Sequence, residues 1–268
     1  MLTQPNVSNL IVPRGGKLRL VSSQDRQPAS GVMAKAAPGE PNKMVEVAPG
    51  ETFVLADLPG AGQIVRIWMT TMNPPMVKAN FNIHGLLRFY WDGEESPSVE
   101  APFGAFFGVP WGKYTHYIAE PLSCTSGGYN CQFPMPFGRG CRIEVVNQAD
   151  VPWSGLFYQI EYIELPEAPS ELRFHAQYRR EAQTTYRTPY RVLDAEISAP
   201  DGSGPALGHF AGMHLFMQNT EWWLDPARML RRAQETGSIL GAMFPGMAGM
   251  GMLEGWERIS VDGEERPS

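Results

Sequence analysis

The feature that most constrains this chain is a stretch of eleven residues that occurs twice. Residues 88–98 read RFYWDGEESPS and residues 258–268 read RISVDGEERPS, with seven identical positions at an offset of 170 residues. Each copy is an apolar-rich run that ends in Asp-Gly, a dipeptide typical of tight turns between strands. A repeat at this distance predicts two copies of a whole domain. We expect a first domain over residues 1–168 and a second over 169–268.

Short strand-like runs alternate with turn residues along the first half of the chain. The runs lie at 17–23, 51–56, 63–71, 86–91, 98–102, 132–136, 141–147 and 156–165. Many short strands separated by Pro and Gly dipeptides predict an antiparallel sandwich of the jelly-roll type. The expected fold is therefore all-β, a double jelly roll of two tandem antiparallel β-sandwiches, of which the first carries an N-terminal arm. Because the second copy of the repeat ends at Ser268, we expect the second jelly roll to be incomplete in this chain.

The second half shows fewer elements. The run ELRFHAQYRREAQT at 171–184 alternates apolar and polar residues, which predicts a strand that crosses into the second domain. Further strands are expected over 190–197 and 208–218. Asp225-Pro226 predicts the start of a helix, because an acidic N-cap is followed by Pro at the first helical position, and Gly237 stands past its end.

The composition argues against several classes of binding partner and cellular location. The chain has 22 basic and 28 acidic side chains without a Lys/Arg cluster, so nucleic acid is not an expected partner. No run of 18 apolar residues is present, so no membrane span is expected. The first residues show no basic segment followed by an apolar run, as a signal peptide would have. We expect a cytoplasmic protein as the sequence stands; a non-native start would leave secretion or a periplasmic location open.

The sequence also lacks the motifs of several common catalytic sites. There is no Gly-x-Ser-x-Gly elbow, phosphate loop, dinucleotide motif or His-Glu-x-x-His zinc motif, and the five histidines are scattered. Cys124, Cys131 and Cys141 match no zinc signature; they are expected as buried thiols, with a Cys124–Cys131 disulfide as the alternative. We expect no metal and no organic cofactor. Carboxylates and aromatic side chains remain, and these are the residues of carbohydrate chemistry.

Several carboxylates, aromatics and basic residues are candidates for a sugar site. Glu254 and Glu257 stand three apart, so in a strand they face opposite sides and do not form one pair. Trp68 lies in an alternating run, where it belongs either to the core or to a platform for a sugar ring. His175 and Arg179 lie on the polar face of the expected crossing strand, where they either line a pocket or contact solvent or another subunit.

Five segments together resemble one known family. They are SSQDR at 22–26, LRFYWDGEESPSVEAPFGAFFG at 87–108, NCQFPMPF at 130–137, FHAQYRRE at 174–181 and LEGWERISVDGEERPS at 253–268. They are similar, in order, to glycoside hydrolase family 172, which includes difructose dianhydride I synthase/hydrolase and exo-acting α-D-arabinofuranosidases. The resemblance implies a double jelly roll that assembles as trimers or their multiples. It also implies retaining hydrolysis or transfer at α-linked fructofuranosides or D-arabinofuranosides.

The resemblance assigns roles to particular residues. Glu254 matches the nucleophile in the family's Glu-Gly-Asp-Glu motif, Glu257 is its last residue, and Trp256 replaces its Asp, either as a stacking platform or as a simple substitution. Asp25 and Arg26 match a motif that either holds sugar hydroxyls or fixes the loop with a salt bridge. The family's acid/base Glu follows the second Asp-Gly-Glu-Glu, so we expect it beyond Ser268 and expect the 268 residues alone to be inactive. The implied partners are a saccharide with α-furanosyl ends and further copies of the chain.

A second function belongs to a different class. Double jelly rolls also build virus coats, and a fold does not decide a function. The alternative is therefore a non-catalytic trimeric double jelly roll, either a carbohydrate-binding module or a capsid-like structural protein. A gene that continues into the acid/base segment would favour the enzyme, and one that stops at residue 268 would favour the alternative.

Overall fold

The computed structural model describes residues 15–25, 44–72, 80–185, 188–193, 208–218, 226–235 and 237. The chain falls into two compact units, residues 1–210 and residues 211–268, and each unit is described by itself. The domain boundary expected after residue 168 stays a prediction.

The larger sheet of the first unit is antiparallel throughout. Its strands are β1 (Lys17–Ser22), β2 (Val45–Val47), β4 (Ala61–Thr71), β7 (Tyr117–Ile118), β8 (Leu122–Thr125), β9 (Gly128–Cys131), β10 (Met135–Phe137) and β12 (Trp153–Leu165). They run in the order β1-β12-β4-β9-β8-β7, while β2 pairs with β12 and β10 pairs with β4. The long strands β4 and β12 lie side by side at the centre, and a 3-10 helix, Ser23–Asp25, follows β1.

The smaller sheet has five strands. They are β3 (Thr52–Pro59), β5 (Gly85–Trp91), β6 (Val99–Pro102), β11 (Gly140–Asn147) and β13 (Ala176–Gln177), in the order β13-β6-β5-β11-β3. All neighbours in this sheet are antiparallel except β13, which runs parallel to β6. Two single-turn helices, α1 (Phe81–His84) and α2 (Phe103–Phe106), precede β5 and follow β6.

The two sheets enclose one hydrophobic core. Alternate residues of each sheet enter it, such as Ile67 and Met69 of β4 and Phe89 of β5, because successive side chains of a strand point to opposite faces. Phe103 of α2 packs edge-on against Tyr129, with ring centroids 4.8 Å apart. The Tyr129 hydroxyl donates to Asn82 Oδ1 at 2.9 Å, so the polar end of this buried ring has a partner.

The prediction of an all-β fold built on an antiparallel sandwich is confirmed. Each of the eight strand-like runs of the first half overlaps an observed strand. The second jelly roll falls on residues 169–268, few of which the structure describes, so that part stays a prediction. In the second unit the expected helix is present as α3 (Pro226–Glu235), followed by Gly237 at φ +68°; the expected N-cap, residue 225, lies outside the described residues. No helix of the described residues is long and apolar enough to cross a membrane.

Three of the expected strands are wrong in whole or in part. Of the run 171–184 only Ala176–Gln177 form a strand, and these two residues pair with the edge of β6. The residues just before them do not continue the strand, because side chains of the first unit hold them. Residues 208–218 form no strand; Gly212 at φ +140° leaves the extended conformation that a continuous ladder requires. The described part of the run 190–197, which ends at residue 193, is not a strand either.

The Asp-Gly turn of the first repeat joins three segments of the chain. Asp92 Oδ1 accepts hydrogen bonds from the backbone N–H groups of Gly138 at 2.7 Å and Arg139 at 2.5 Å. Asp92 Oδ2 accepts one from Arg173 Nε at 2.6 Å. Burial tends to raise the pKa of Asp92, but the hydrogen bonds from Arg139, Arg173 and Gly138 outweigh it, so the pKa is lowered. The carboxylate therefore favours its charged form, and it holds together the turn, the loop with Gly138 and Arg139, and the segment with Arg173.

This arrangement predicts a pH-dependent loss of stability. Asp92→Ala removes the acceptor of the Gly138 and Arg139 N–H groups and leaves the Arg173 guanidinium, 19% exposed, without its carboxylate, so we expect a loss of about 3 kcal/mol in the free energy of unfolding at pH 7. Because the folded-state pKa lies below that of the unfolded chain, about 3.9, the stabilisation is complete above that value. It fades as the pH falls toward the folded-state pKa.

Urea unfolding between pH 2 and pH 7 measures this prediction. Glu164→Gln is the control, because it breaks the solvent-exposed pair of Glu164 with Arg19 and should leave unfolding nearly unchanged. An Asp92→Ala variant as stable as the parent at pH 7 would contradict the role of this carboxylate.

Candidate functional site

A row of polar and aromatic side chains crosses the outer face of the larger sheet. Trp68 of β4 stands opposite Gln159 of β12 on one side and Asn130 of β9 on the other, and Asn130 stands opposite Ser123 of β8. Each of the four lies between two buried core residues of its own strand, so each points away from the core. Side chains directly opposite one another have Cβ atoms about 5 Å apart. The row therefore forms one continuous surface.

The indole of Trp68 is held against the β8–β9 hairpin. A Cβ atom added to Gly128 would lie 2.6 Å from Trp68 Nε1, so the ring occupies the space where any other residue would carry its side chain. Thr70, two residues further along β4, donates from Oγ1 to the carbonyl oxygen of Gly127 at 2.8 Å. The hairpin and β4 thus fix the height of the indole above the sheet.

Next to this row lies one ion pair. Arg66 and Glu161 stand opposite one another on β4 and β12, and Arg66 Nη1 lies 2.6 Å from Glu161 Oε1. Both side chains are about one-third exposed. The pair neutralises itself, so it adds planar hydrogen-bonding groups to the face without adding net charge.

The Ser-Ser-Gln-Asp-Arg motif begins at the end of the same row. Ser22 stands opposite Gln159, and Ser23 Oγ accepts a hydrogen bond from the Tyr158 N–H at 3.4 Å. The backbone of Asp25 ends the 3-10 helix that follows. The side chain of Asp25 and all of Arg26 lie outside the described residues. The structure therefore brings the backbone of this motif and Trp68, two separate sequence candidates, to the two sides of β12 in one sheet.

His175 lies elsewhere, in a groove at the edge of the smaller sheet. The groove has a volume of about 650 Å³, and its lining includes His175 and Tyr178 on one side and Glu94, Glu95 and Glu100 on the other. It is formed where the turn of the first repeat meets β13. His175 and Trp68 are thus on different sheets, and the structure does not place them in one pocket.

Two of the three carboxylates in this groove serve the local structure. Glu94 Oε2 accepts from Ser98 Oγ at 2.6 Å and from the Trp91 N–H at 3.3 Å, which closes the turn. Glu100 Oε2 accepts from Arg88 Nε at 2.7 Å across two strands. No described residue bonds to the side chain of Glu95. The groove therefore offers one uncommitted carboxylate and not the pair that a retaining glycosidase requires.

Arg179 is tied to the segment that follows it. Its Nη1 donates to the carbonyl oxygen of Arg191 at 2.7 Å, and its guanidinium lies 5.2 Å from the centre of the Tyr190 ring. The side chain is exposed. These contacts give it a structural role in the described residues. Glu254, Trp256 and Glu257 lie outside the described residues, so the expected nucleophile has no described geometry.

The cysteines are buried thiols and form no disulfide. Cys124 donates to the carbonyl oxygen of Phe107 at 3.4 Å, and Cys131, on the next strand, stands opposite Leu122 and not opposite Cys124. Burial raises the pKa of Cys124 and Cys131 to about 12 and also raises that of Cys141. Among the described residues no group of three or more His, Cys, Asp or Glu is placed to hold a metal ion.

This geometry predicts thiols that stay unreactive in the folded chain. A thiol that is protonated and buried is a poor nucleophile, so we expect almost no reaction of native protein with Ellman's reagent at pH 8. In urea all three cysteines should react. One reactive thiol in the native protein, or fewer than three in the unfolded one, would contradict this placement.

The architecture defines the class of protein: it is an all-β sandwich that carries a row of aromatic and amide side chains on one sheet. A family model described as the first β-sandwich domain of glycoside hydrolase family 172 matches residues 14–182, which is more than half of the chain. The chain therefore belongs to glycoside hydrolase family 172. The matched region contains the whole described sandwich and the row around Trp68.

Other comparisons add little. No curated protein matches the chain. Among solved structures it is similar to a chain of the acid-stable capsid of Helicobacter pylori bacteriophage KHP30, with 10% identity over 51% of this chain and 91% of the other, at a TM-score of 0.29. A likeness this weak carries no argument about function.

Sequence reasoning missed Gln159 and Asn130. Both were visible as polar residues within alternating runs, flanked by Tyr158 and Ile160 and by Tyr129 and Cys131. The alternation predicts that each faces outward. It does not predict that both lie beside Trp68, because that depends on the pairing of strands far apart in sequence.

The position of the Trp68 indole gives a further prediction. Gly128→Ala places a methyl group against Nε1, so we expect the ring to tilt away and its fluorescence maximum to move to longer wavelength as it meets solvent. Gly127→Ala is the control: its φ of +79° strains an alanine, but no atom lies within 4 Å of the added methyl group. It should lower the melting temperature without moving the fluorescence. An unchanged spectrum in Gly128→Ala would contradict the described contact.

Proposed function

We propose that this protein is a retaining glycoside hydrolase or transglycosylase that acts on α-linked furanosides, either fructofuranosyl or D-arabinofuranosyl. The observation that carries the proposal is the match of residues 14–182 to the first sandwich of glycoside hydrolase family 172. The neutral, aromatic and amide-lined row on the larger sheet supports a saccharide as the substrate, because such side chains suit a polyol with apolar ring faces.

Glu254 acts as the nucleophile in this proposal. Its carboxylate attacks the anomeric carbon, the bond from that carbon to the leaving oxygen breaks, and a covalent glycosyl-enzyme forms. A second carboxylic acid gives its proton to the leaving oxygen and then takes one from the attacking water, which releases the sugar with its original configuration. A sugar hydroxyl in place of water gives transfer. This chemistry uses two carboxyl groups and needs no metal or organic cofactor.

The chain acts as a homo-oligomer in the same proposal. The strand β1 lies at the edge of the larger sheet, and Leu18 and Leu20 on its outer face are 67% and 54% exposed. An edge strand with exposed apolar side chains is a site for pairing or packing with another copy. A trimer in which β1 lies at the contact between copies accounts for the edge position of this strand and for its exposed leucine side chains.

Labelling with activated sugars tests the nucleophile. Fluoride leaves without needing a proton, so α-D-arabinofuranosyl fluoride and α-D-fructofuranosyl fluoride require the nucleophile alone for the first step. We expect a mass increase of one furanosyl residue on Glu254, seen by intact mass and peptide mapping, or fluoride release where the adduct turns over. Glu254→Gln should lose both signals by at least about two orders of magnitude.

Glu164→Gln is the control, because it removes a solvent-exposed carboxylate that pairs with Arg19 and leaves the nucleophile in place. It should keep the label. Equal labelling of Glu254→Gln and the parent would contradict the assignment of Glu254. A folded oligomer that neither becomes labelled nor releases fluoride would favour the non-catalytic binding or structural protein.

A further inference from the structure

We propose that the outer face of the larger sheet is a saccharide-binding surface of its own, in which Trp68 stacks on a sugar ring and Gln159 and Asn130 hydrogen-bond its hydroxyl groups. The choice of furanosides as ligands rests on the proposed function, but the surface itself is inferred from the described sandwich. It adds two residues, Gln159 and Asn130, to which the sequence analysis assigned no role.

The indole N–H of Trp68 differs from those of the two core tryptophans, Trp91 and Trp153. A half-buried Trp usually finds a hydrogen-bond partner for Nε1. Trp91 donates to the carbonyl oxygen of Phe174 at 2.7 Å, and Trp153 donates to Thr71 Oγ1 at 3.0 Å. Trp68 is half-buried, yet its Nε1 donates to no described residue. Its ring is thus fixed in place by the hairpin while its donor is left for a ligand.

An amide side chain stands on each side of the Trp68 ring, Gln159 on β12 and Asn130 on β9. Each amide offers both donors and an acceptor, the combination that fits neighbouring hydroxyl groups of a sugar. No described residue bonds to the side chain of Gln159, and Asn130 Nδ2 makes one long bond, 3.5 Å, to the carbonyl oxygen of Ser123. With strands about 4.8 Å apart, the three side chains span about 10 Å, enough for one or two sugar rings.

The net charge of this face indicates which ligands fit it. The charged side chains beside the row, Arg66 and Glu161, satisfy one another at 2.6 Å. A face without net charge, with one aromatic platform between two amides, matches a neutral oligosaccharide better than an acidic or basic partner.

Direct binding measures this inference without relying on catalysis. Titration calorimetry of the Glu254→Gln protein with an α-linked D-arabinofuranosyl trisaccharide and a fructofuranosyl trisaccharide should show binding of at least one of them. Trp68→Ala should raise the Kd at least about tenfold through the lost stacking. Gln159→Ala and Asn130→Ala should each raise it about three- to tenfold.

Tyr178→Ala is the matched control, because Tyr178 is an exposed aromatic residue in the groove of the other sheet. It should bind as the parent does. Thermal unfolding and the mass in solution are recorded for every variant, and Trp68→Tyr, which keeps a ring, should recover part of the affinity lost in Trp68→Ala.

Several outcomes would overturn the inference. They are a folded parent that binds neither trisaccharide, a folded Trp68→Ala variant with unchanged affinity, and loss of binding in Tyr178→Ala instead. A Trp68→Ala oligomer that dissociates while its affinity stays the same would show that the face is a contact between copies. Labelling of Glu254 without binding at this face would remove only the present inference, and binding without labelling would remove only the proposed catalysis.

Discussion

The carboxylate of Asp92 is the contact on which the described edge of the sandwich depends. It holds the turn after β5, the loop before β11 and the segment that leads to β13, using backbone N–H groups and one guanidinium. Once Arg173 is fixed there, Phe174 reaches Trp91 Nε1 through its carbonyl oxygen. The two residues of β13 then align with β6, and the groove around His175 takes its shape. One charged side chain thus organises three stretches that the sequence keeps far apart.

The repeat could be found from sequence, but the reason for it could not. Within its first copy, Arg88 pairs with Glu100, Gly93 takes a φ of +87°, and Glu94 binds Ser98. In the first copy these identities therefore preserve a turn and its flanking strands rather than a catalytic pair, whereas the second copy lies outside the described residues. Strand positions were predictable for a similar reason, because alternation is local. The edge segment 171–184 was not, since its conformation is set by Asp92 and Trp91 rather than by its own pattern.

For the candidate site, too, the sequence predicts what depends on neighbouring residues of one strand. It does not predict what depends on the pairing of strands far apart in the chain. Alternation in β4 indicates that Trp68 and the core residues Ile67 and Met69 face opposite ways. It cannot indicate which residues of β9 and β12 become neighbours. The pairing of β4 with β12 even shifts by one residue between Glu161 and Tyr162, so that a register extended without this bulge would place the wrong side chains beside the indole. Gln159 and Asn130 emerge only when the strands are paired.

Three of the described tryptophans lie in strands of the sandwich, and they differ in whether the indole N–H has a partner. Trp91 and Trp153 lie in the core with their donors satisfied, which is what folding alone requires. Trp68 packs against a glycine, faces outward and is flanked by two amides, an arrangement that contributes little to the core. Its indole N–H has no acceptor among the described residues. Under the proposed function, this flat ring between two amides would hold the substrate on a rigid sheet, and the carboxylates of another segment would perform the chemistry.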